Sequence, residues 1–133
     1  MRCLLDTHVW IWSQEELGNI GPKTEEILLG PDNDLYVSPI STLEIARLID
    51  LGQISIKGTL KSWIQQSVDN LLAVTLELSH EIAIEAYSLD KSFHKDPADR
   101  ILVASAIVHD MTIITADGRI LSYPQVSAQN AQL

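Results

Sequence analysis

Short apolar runs alternate along this chain with longer stretches in which apolar residues recur at helical spacing, a pattern of strands interleaved with helices. Met1 to Leu5 reads as a buried strand that stops at Asp6-Thr7, either of which can cap a following helix through its side-chain oxygen. Gly21-Pro22, Lys23 to Leu29 and Gly30-Pro31 punctuate a short helix, with proline near its start and glycine past its end. Leu35 to Val37 predicts a second strand, and Ser41 to Leu51 a helix after it, stopped by Gly52. From Gly58 to Leu89 the pattern predicts two helices, Thr59 to Asn70 and Ser79 to Leu89. The stretch between them, Leu71 to Leu76, is ambiguous, although Val74-Thr75 favours a strand. Asp96-Pro97 opens a helix that stays apolar nearly all round, through Ile101, Leu102, Val103, Ala104, Ala106, Ile107 and Val108, so it belongs in the interior. Met111 to Ile114 is a β-branched strand, followed by the turn residues Asp117-Gly118.

Strands alternating with helices imply an α/β fold with a mainly parallel sheet covered on both faces. With 133 residues and no repeat, low-complexity tract or linker, one domain over residues 1–133 accounts for the chain. Its 46% hydrophobic and 20% charged residues are near the globular average, which excludes a disordered or fibrous chain. Cys3, the single cysteine, lies in an apolar run and reads as core filler, since it can build neither a disulfide nor a cysteine metal site alone. Asp6 interrupts the first apolar run, and nothing approaches the ~20 apolar residues of a membrane span, so a soluble cytoplasmic protein is expected.

Eighteen acidic against nine basic residues give a formal charge of -9, the wrong sign for a general nucleic-acid-binding surface. The balance changes locally if acids converge on divalent cations, which then reverse the field at the site. Ligands of open parallel sheets bind beyond the carboxyl ends of the strands, and three acids stand there. Asp6 follows the first strand, Asp117 lies just beyond Ile114, and Asp99 occupies the first turn of the buried helix before that last strand. Glu44 is a fourth, a carboxylate on a stripe shared with Ile40, Leu48 and Leu51, where it demands a partner. Each also has a plain structural explanation: Asp6 as a cap, Asp117 as a turn residue, Asp96 and Asp99 as a helix-start pair around Pro97, Glu44 as a snorkelling or ion-paired side chain. Taken together, four or five carboxylates with few cations nearby would repel prohibitively unless metal ions neutralise them, and hard oxygen donors suit Mg²⁺ or Mn²⁺.

The remaining candidates read more plainly. His8 and His94 are expected to be solvated or packed. Trp10 and Trp12, with Val9 and Ile11, make the first helix apolar on more than one side, as core or as a subunit contact. Lys91, Lys95, Arg100 and Arg119 flank the acids in sequence; Lys95 and Arg100 are candidate phosphate contacts.

Four segments, Leu4 to Trp10 (LLDTHVW), Ser41 to Ala46 (STLEIA), His94 to Ala104 (HKDPADRILVA) and Ile114 to Asp117 (ITAD), resemble in this order the PIN-domain ribonucleases of VapC-type toxin-antitoxin systems. The resemblance implies a three-layer α/β/α sandwich with a mainly parallel five-stranded sheet, a homodimer, and inhibition by a cognate antitoxin. It puts Asp6, Glu44, Asp99 and Asp117 on the family's four acidic positions, with Asp96 as an additional acid, and Thr115 on a hydroxyl position near the site, where it is a candidate substrate contact with Lys95 and Arg100. The implied activity is metal-dependent cleavage of RNA to a 5′-phosphate and a 3′-hydroxyl. Asp6, Asp99 and Asp117 would be metal ligands, and Glu44 would ligate through water or orient the nucleophile. The strong acidity departs from the expectation for an RNA-binding enzyme.

Three other readings compete. A phosphoaspartate receiver needs adjacent acids after the first strand, where Leu5 precedes Asp6, and a lysine after a late strand, where Gly118-Arg119 follows Asp117. A haloacid-dehalogenase-like phosphatase needs a second aspartate where His8 stands. A non-catalytic PIN-fold binding module would keep the architecture and lose acids.

Overall fold

The computed structural model describes residues 1–133. Five strands, β1 (Arg2–Leu5), β2 (Asp34–Val37), β3 (Val74–Thr75), β4 (Thr112–Thr115) and β5 (Ala128–Asn130), form one sheet in the order β3-β2-β1-β4-β5, every neighbouring pair parallel. Seven helices connect and cover them: α1 (Thr7–Glu15), α2 (Pro22–Leu29), α3 (Pro39–Asp50), α4 (Leu60–Leu71), α5 (His80–Ala86), α6 (Pro97–Val108) and α7 (Gly118–Leu121). The fold class read from the sequence is therefore the one observed, a parallel five-stranded α/β/α arrangement.

Alternation along the strands splits the core in two. Cys3, Leu5, Leu35, Val37 and Ile114 face one side, where they pack with Val9, Trp10 and Ile11 of α1, Ile45 of α3 and Trp63 of α4. Leu4 and Ile113 face the other, against Leu102, Val103 and Ala106 of α6 and Ile120 of α7. Helix α6 is apolar all round because α5 lies on its far side, where Ile82 and Ala86 meet Ala104.

Three of the four apolar residues of α1 are core, and the fourth packs against it. Val9, Trp10 and Ile11 are buried and Trp12 is half-buried, so the alternative use of this helix as a subunit contact is corrected. It is apolar on two sides because it is sandwiched: Trp10 stacks at a tilt on Trp63 with centroids 5.3 Å apart and donates its indole N–H to Ser67 Oγ at 2.9 Å.

Two elements had no sequence expectation. Strand β5 is an edge strand of polar and small residues, half-buried throughout. Helix α7 is a single turn, started by Asp117 where only a turn was expected. Gly21 has a backbone reason to be glycine: a Cβ there would lie 2.3 Å from the carbonyl carbon of Leu133, because residues 131–133 return to bond the start of α2.

Candidate active site

The parallel sheet aims the carboxyl ends of β1 and β4, adjacent strands, at one edge. Asp6 leaves β1 there and caps α1, its carboxylate accepting from the backbone N–H of Thr7 at 2.8 Å. Asp117 leaves β4 beside it and caps α7. Asp99, in the first turn of α6, and Glu44, on α3, approach from the flanking helices. Asp6, Glu44, Asp96, Asp99 and Asp117 all line one cavity of about 420 Å³, with His8, Trp12, Ala116 and Arg119 completing its wall. A slightly larger hollow, between Ile49 and Leu60, has no titratable side chain in its lining and offers no comparable chemistry.

Hydroxyl groups hold the acids in place. Thr115, fully buried, donates to Asp6 Oδ2 at 2.6 Å and accepts from the Asp117 backbone N–H at 3.0 Å, so one side chain ties together the two strand-end acids. Thr7 Oγ1 is hydrogen-bonded to Glu44 Oε1 at 2.5 Å and lies 2.9 Å from Ser41 Oγ, which supplies the partner that Glu44 requires on its otherwise apolar stripe. Thr115, expected among the substrate contacts, is corrected on this geometry: with no exposed surface and both hydrogen-bonding roles taken, it positions carboxylates.

Arg100 is corrected too. Its guanidinium is buried and donates to three backbone carbonyls, those of His94 at 3.0 Å, Ala86 at 3.1 Å and Phe93 at 2.9 Å, and it takes no part in the wall of the cavity where a phosphate would lie. Lys95 is exposed and does not line the cavity. The cation within the site is Arg119, whose Nε and Nη2 reach Asp117 Oδ1 and Oδ2 at 3.2 and 3.1 Å. Asp96 is exposed and caps α6, with Oδ1 accepting from Ala98 N at 2.9 Å and Asp99 N at 3.2 Å.

The electrostatics record unrelieved crowding. Burial, followed by the charges of Asp6, Asp96, Glu44 and Asp117, pushes the Asp99 carboxyl from an ordinary 3.8 up to about 8. Burial also raises Asp6, although Thr115 and Thr7 stabilise its charged form. Glu44 is raised by burial, partly offset by Thr7, and further by Asp6 and Asp96. Asp117 runs the other way: burial would raise it, but the hydrogen bonds and charge of Arg119 more than offset that. A cluster of hard oxygen donors that holds one of its own members protonated near neutral pH fits a divalent cation, which would supply the missing positive charge.

One further side chain packs beside the acids. His94 was expected to be solvated or merely packed, yet its Nε2 lies 3.2 Å from Asp99 Oδ2, and His94, Asp99 and Asp117 offer ligand atoms all within 4.8 Å of one another. The available signal was its place just ahead of the Asp96 cap, on the approach to the helix start that carries Asp99.

A parallel sheet carrying acids at its carboxyl edge, steadied by threonines from β4 and α1, defines a class of α/β proteins that act through clustered carboxylates. Residues 3–125 match the PIN domain, and this chain belongs to that family. It is 32% identical over 120 residues, covering 90% of each chain, to Ribonuclease VapC22 of Mycobacterium tuberculosis (strain ATCC 25618 / H37Rv). Among solved structures it is similar to VapBC2 from Rickettsia felis bound to a promoter DNA fragment, with 18% identity, 98% of each chain covered and a TM-score of 0.69. It is likewise similar to VapBC-1 from nontypeable Haemophilus influenzae, with 16% identity, full coverage and a TM-score of 0.65. The resemblance read from the four motifs is thereby borne out, and the receiver and phosphatase readings are set aside.

Proposed function

We propose that this chain is a toxin-type endoribonuclease that hydrolyses RNA phosphodiesters at its carboxylate cluster with Mg²⁺ or Mn²⁺. The observation that carries the proposal is the convergence of five carboxylates on one cavity, where burial and then the neighbouring acids push Asp99 up to about 8. Similarity to a VapC ribonuclease supports RNA as the substrate. Asp6, Asp99 and Asp117 are the residues to hold the ion, and Glu44 orients the attacking water. A bound divalent ion would supply Lewis-acid activation of that water and stabilisation of the departing 3′-oxygen, leaving a 5′-phosphate and a 3′-hydroxyl. Thr115 and Thr7 keep three of the acids oriented before any ion or RNA arrives. Arg119, the cation of the cavity, is placed to meet a phosphate, and exposed Lys95 can add to the approach path. Retention of all four family acids speaks against a non-catalytic module.

The test is cleavage of a susceptible RNA by the purified protein with Mg²⁺ or Mn²⁺. Activity should stop on addition of EDTA; cleavage that persists without free metal overturns the mechanism.

The similar structures are VapBC pairs, which supports inhibition by a cognate antitoxin; a cytoplasmic site of action accompanies the reading of RNA as substrate. Co-expression of the neighbouring open reading frame should relieve growth arrest, and its failure to bind or protect would remove the toxin reading. No helix is long and apolar enough to cross a membrane. Self-association as a homodimer draws on exposed apolar side chains such as Leu43, Ile84 and Tyr87 rather than on α1. A monomer mass in light scattering at tens of micromolar would reject it.

A further inference from the structure

We propose that His94 is a direct ligand of the divalent ion, bonding through Nε2 beside Asp99 and Asp117, so that the centre is a mixed nitrogen–oxygen site that prefers Mn²⁺ to Mg²⁺. The inference rests on the reading that the carboxylates hold an ion, and adds to it a donor of a different chemical type.

Three observations support it. First, His94 Nε2 is completely buried and has no hydrogen-bond partner, an arrangement that costs stability unless something else occupies the nitrogen. Asp99 does not satisfy it: its Oδ2 is 3.2 Å away, but out of line for a hydrogen bond. A simple histidine–aspartate pair would align donor and acceptor. Second, the spacing suits a shared ion. Two neighbouring ligands on an octahedral ion with bonds of about 2.1 Å lie about 3 Å apart, and opposite ligands about 4.2 Å apart. The 3.2 Å pair matches the first spacing, and the 4.8 Å limit on the three ligand atoms exceeds the second by only a small closure. Third, the ring is held in place. Arg100 grips the carbonyls of both Phe93 and His94, and the Phe93 and His94 rings sit 4.6 Å apart, so the loop delivers the imidazole to the first turn of the helix that bears Asp99.

Arg119 is the group that must give way, since it holds Asp117 in this structure. Its side chain is 62% exposed and can turn toward solvent or a phosphate at little cost. An imidazole donor is poorly matched to Mg²⁺, which takes oxygen ligands. It favours a first-row ion such as Mn²⁺, which accepts imidazole nitrogen together with carboxylate oxygen, over Mg²⁺.

The deciding measurement is pulsed EPR on the full-length protein loaded with substoichiometric Mn²⁺. Directly bound imidazole imposes a ¹⁴N modulation on the electron spin echo, independent of any RNA cleavage. The modulation should appear in the wild type and change to the ¹⁵N pattern when the histidines are ¹⁵N-labelled. It should persist in His8→Ala, which removes the exposed histidine that lines the carboxylate cavity, and vanish in His94→Ala, which removes the ring that reaches Asp99 from the neighbouring hollow beside Arg119 and Tyr123. Titration should show Mn²⁺ affinity falling about tenfold or more in His94→Ala, a loss at least as large as removal of an outer hydrogen-bond partner causes, with Mg²⁺ affinity changing less. Bound Mn²⁺ without ¹⁴N modulation, or modulation lost with His8 and kept without His94, overturns the assignment while leaving the carboxylate centre intact. The wild-type and His8→Ala spectra decide the matter even if His94→Ala fails to fold. Failure of the wild type to bind Mn²⁺ at all overturns the metal reading and this inference with it.

Discussion

Asp99→Asn should stabilise the metal-free protein, and by an amount that depends on pH in a defined direction. Asp99 is buried, and burial together with its acidic neighbours raises its pKa from 3.8 to about 8 in the folded protein. Between those values the native state keeps a proton that the unfolded chain has lost, so stability falls as pH rises through this window. Below 3.8 both states are protonated and the cost vanishes; above about 8 it saturates. At pH 7 the difference spans about three pH units at ~1.4 kcal/mol each, about 4 kcal/mol. Asparagine keeps the shape and avoids this cost, but still buries an amide, so a gain of about 2–4 kcal/mol is expected, or roughly 10 °C in Tm for a domain of this size. Thermal unfolding of both proteins in EDTA at pH 7 and pH 4 reads it out. The gap should be large at pH 7 and shrink below about 1 kcal/mol at pH 4. Saturating Mn²⁺ should narrow or reverse the gap at pH 7 by stabilising the wild type selectively, while Asp99→Asn loses cleavage by orders of magnitude. A variant no more stable than wild type at pH 7, or a gap that ignores pH, would refute the claim that Asp99 is held against its neighbours' charge.

Three further substitutions separate architecture from chemistry. Asp96→Ala removes the cap on α6 and should cost about 0.5–2 kcal/mol in thermal unfolding with EDTA, with cleavage reduced less than in Asp99→Asn; a dead but equally stable variant would mean that Asp96 acts in the chemistry. Arg100→Ala abandons three buried carbonyls and should cost about 3 kcal/mol or more by chemical denaturation; a fully stable variant with weakened RNA binding would restore Arg100 as a phosphate contact. Thr115→Val keeps the shape but removes the hydroxyl between Asp6 and Asp117, and should lower both stability, by about 1–3 kcal/mol, and Mn²⁺ affinity by calorimetry; unchanged affinity would show that the two acids hold their positions without it.

The fold was legible wherever burial imposes a pattern. β1, β4 and α6 are apolar because each is covered on both sides, and their sequences show it without ambiguity. The boundaries of α3 and α4 were close because proline or a capping hydroxyl marks each start. β5 was not placed because an edge strand of Ala128, Gln129 and Asn130 has neither alternation nor β-branching; the sheet admits it through backbone pairing with β4, which leaves no mark on side-chain choice. The helix α1 kept a second reading beside the core one for the opposite reason. Its apolar residues look excessive for one buried face, and only the tertiary fold shows that α4 covers the second.

The site divides along the same physical line. Acids could be found one at a time because a carboxylate at a strand end or on an apolar stripe conflicts with its local surroundings, and the conflict is visible in sequence. Residues that resolve such conflicts are locally unremarkable. Thr115 is an ordinary strand residue, and its role exists only because β4 lies beside β1 and brings its hydroxyl to Asp6. Arg100 sits next to an acid in sequence, which suggested a phosphate contact, but α6 turns it away from Asp99 and into the carbonyls that close the 86–94 segment. His94 depends on that closure for its place beside Asp99. A basic side chain adjacent to a catalytic acid on a helix therefore reports less about substrate than its sequence position suggests, because successive helical residues point about 100° apart. In this chain the cation that shares the cavity with the acids is Arg119, which reaches Asp117 from the first turn of the helix that Asp117 itself caps.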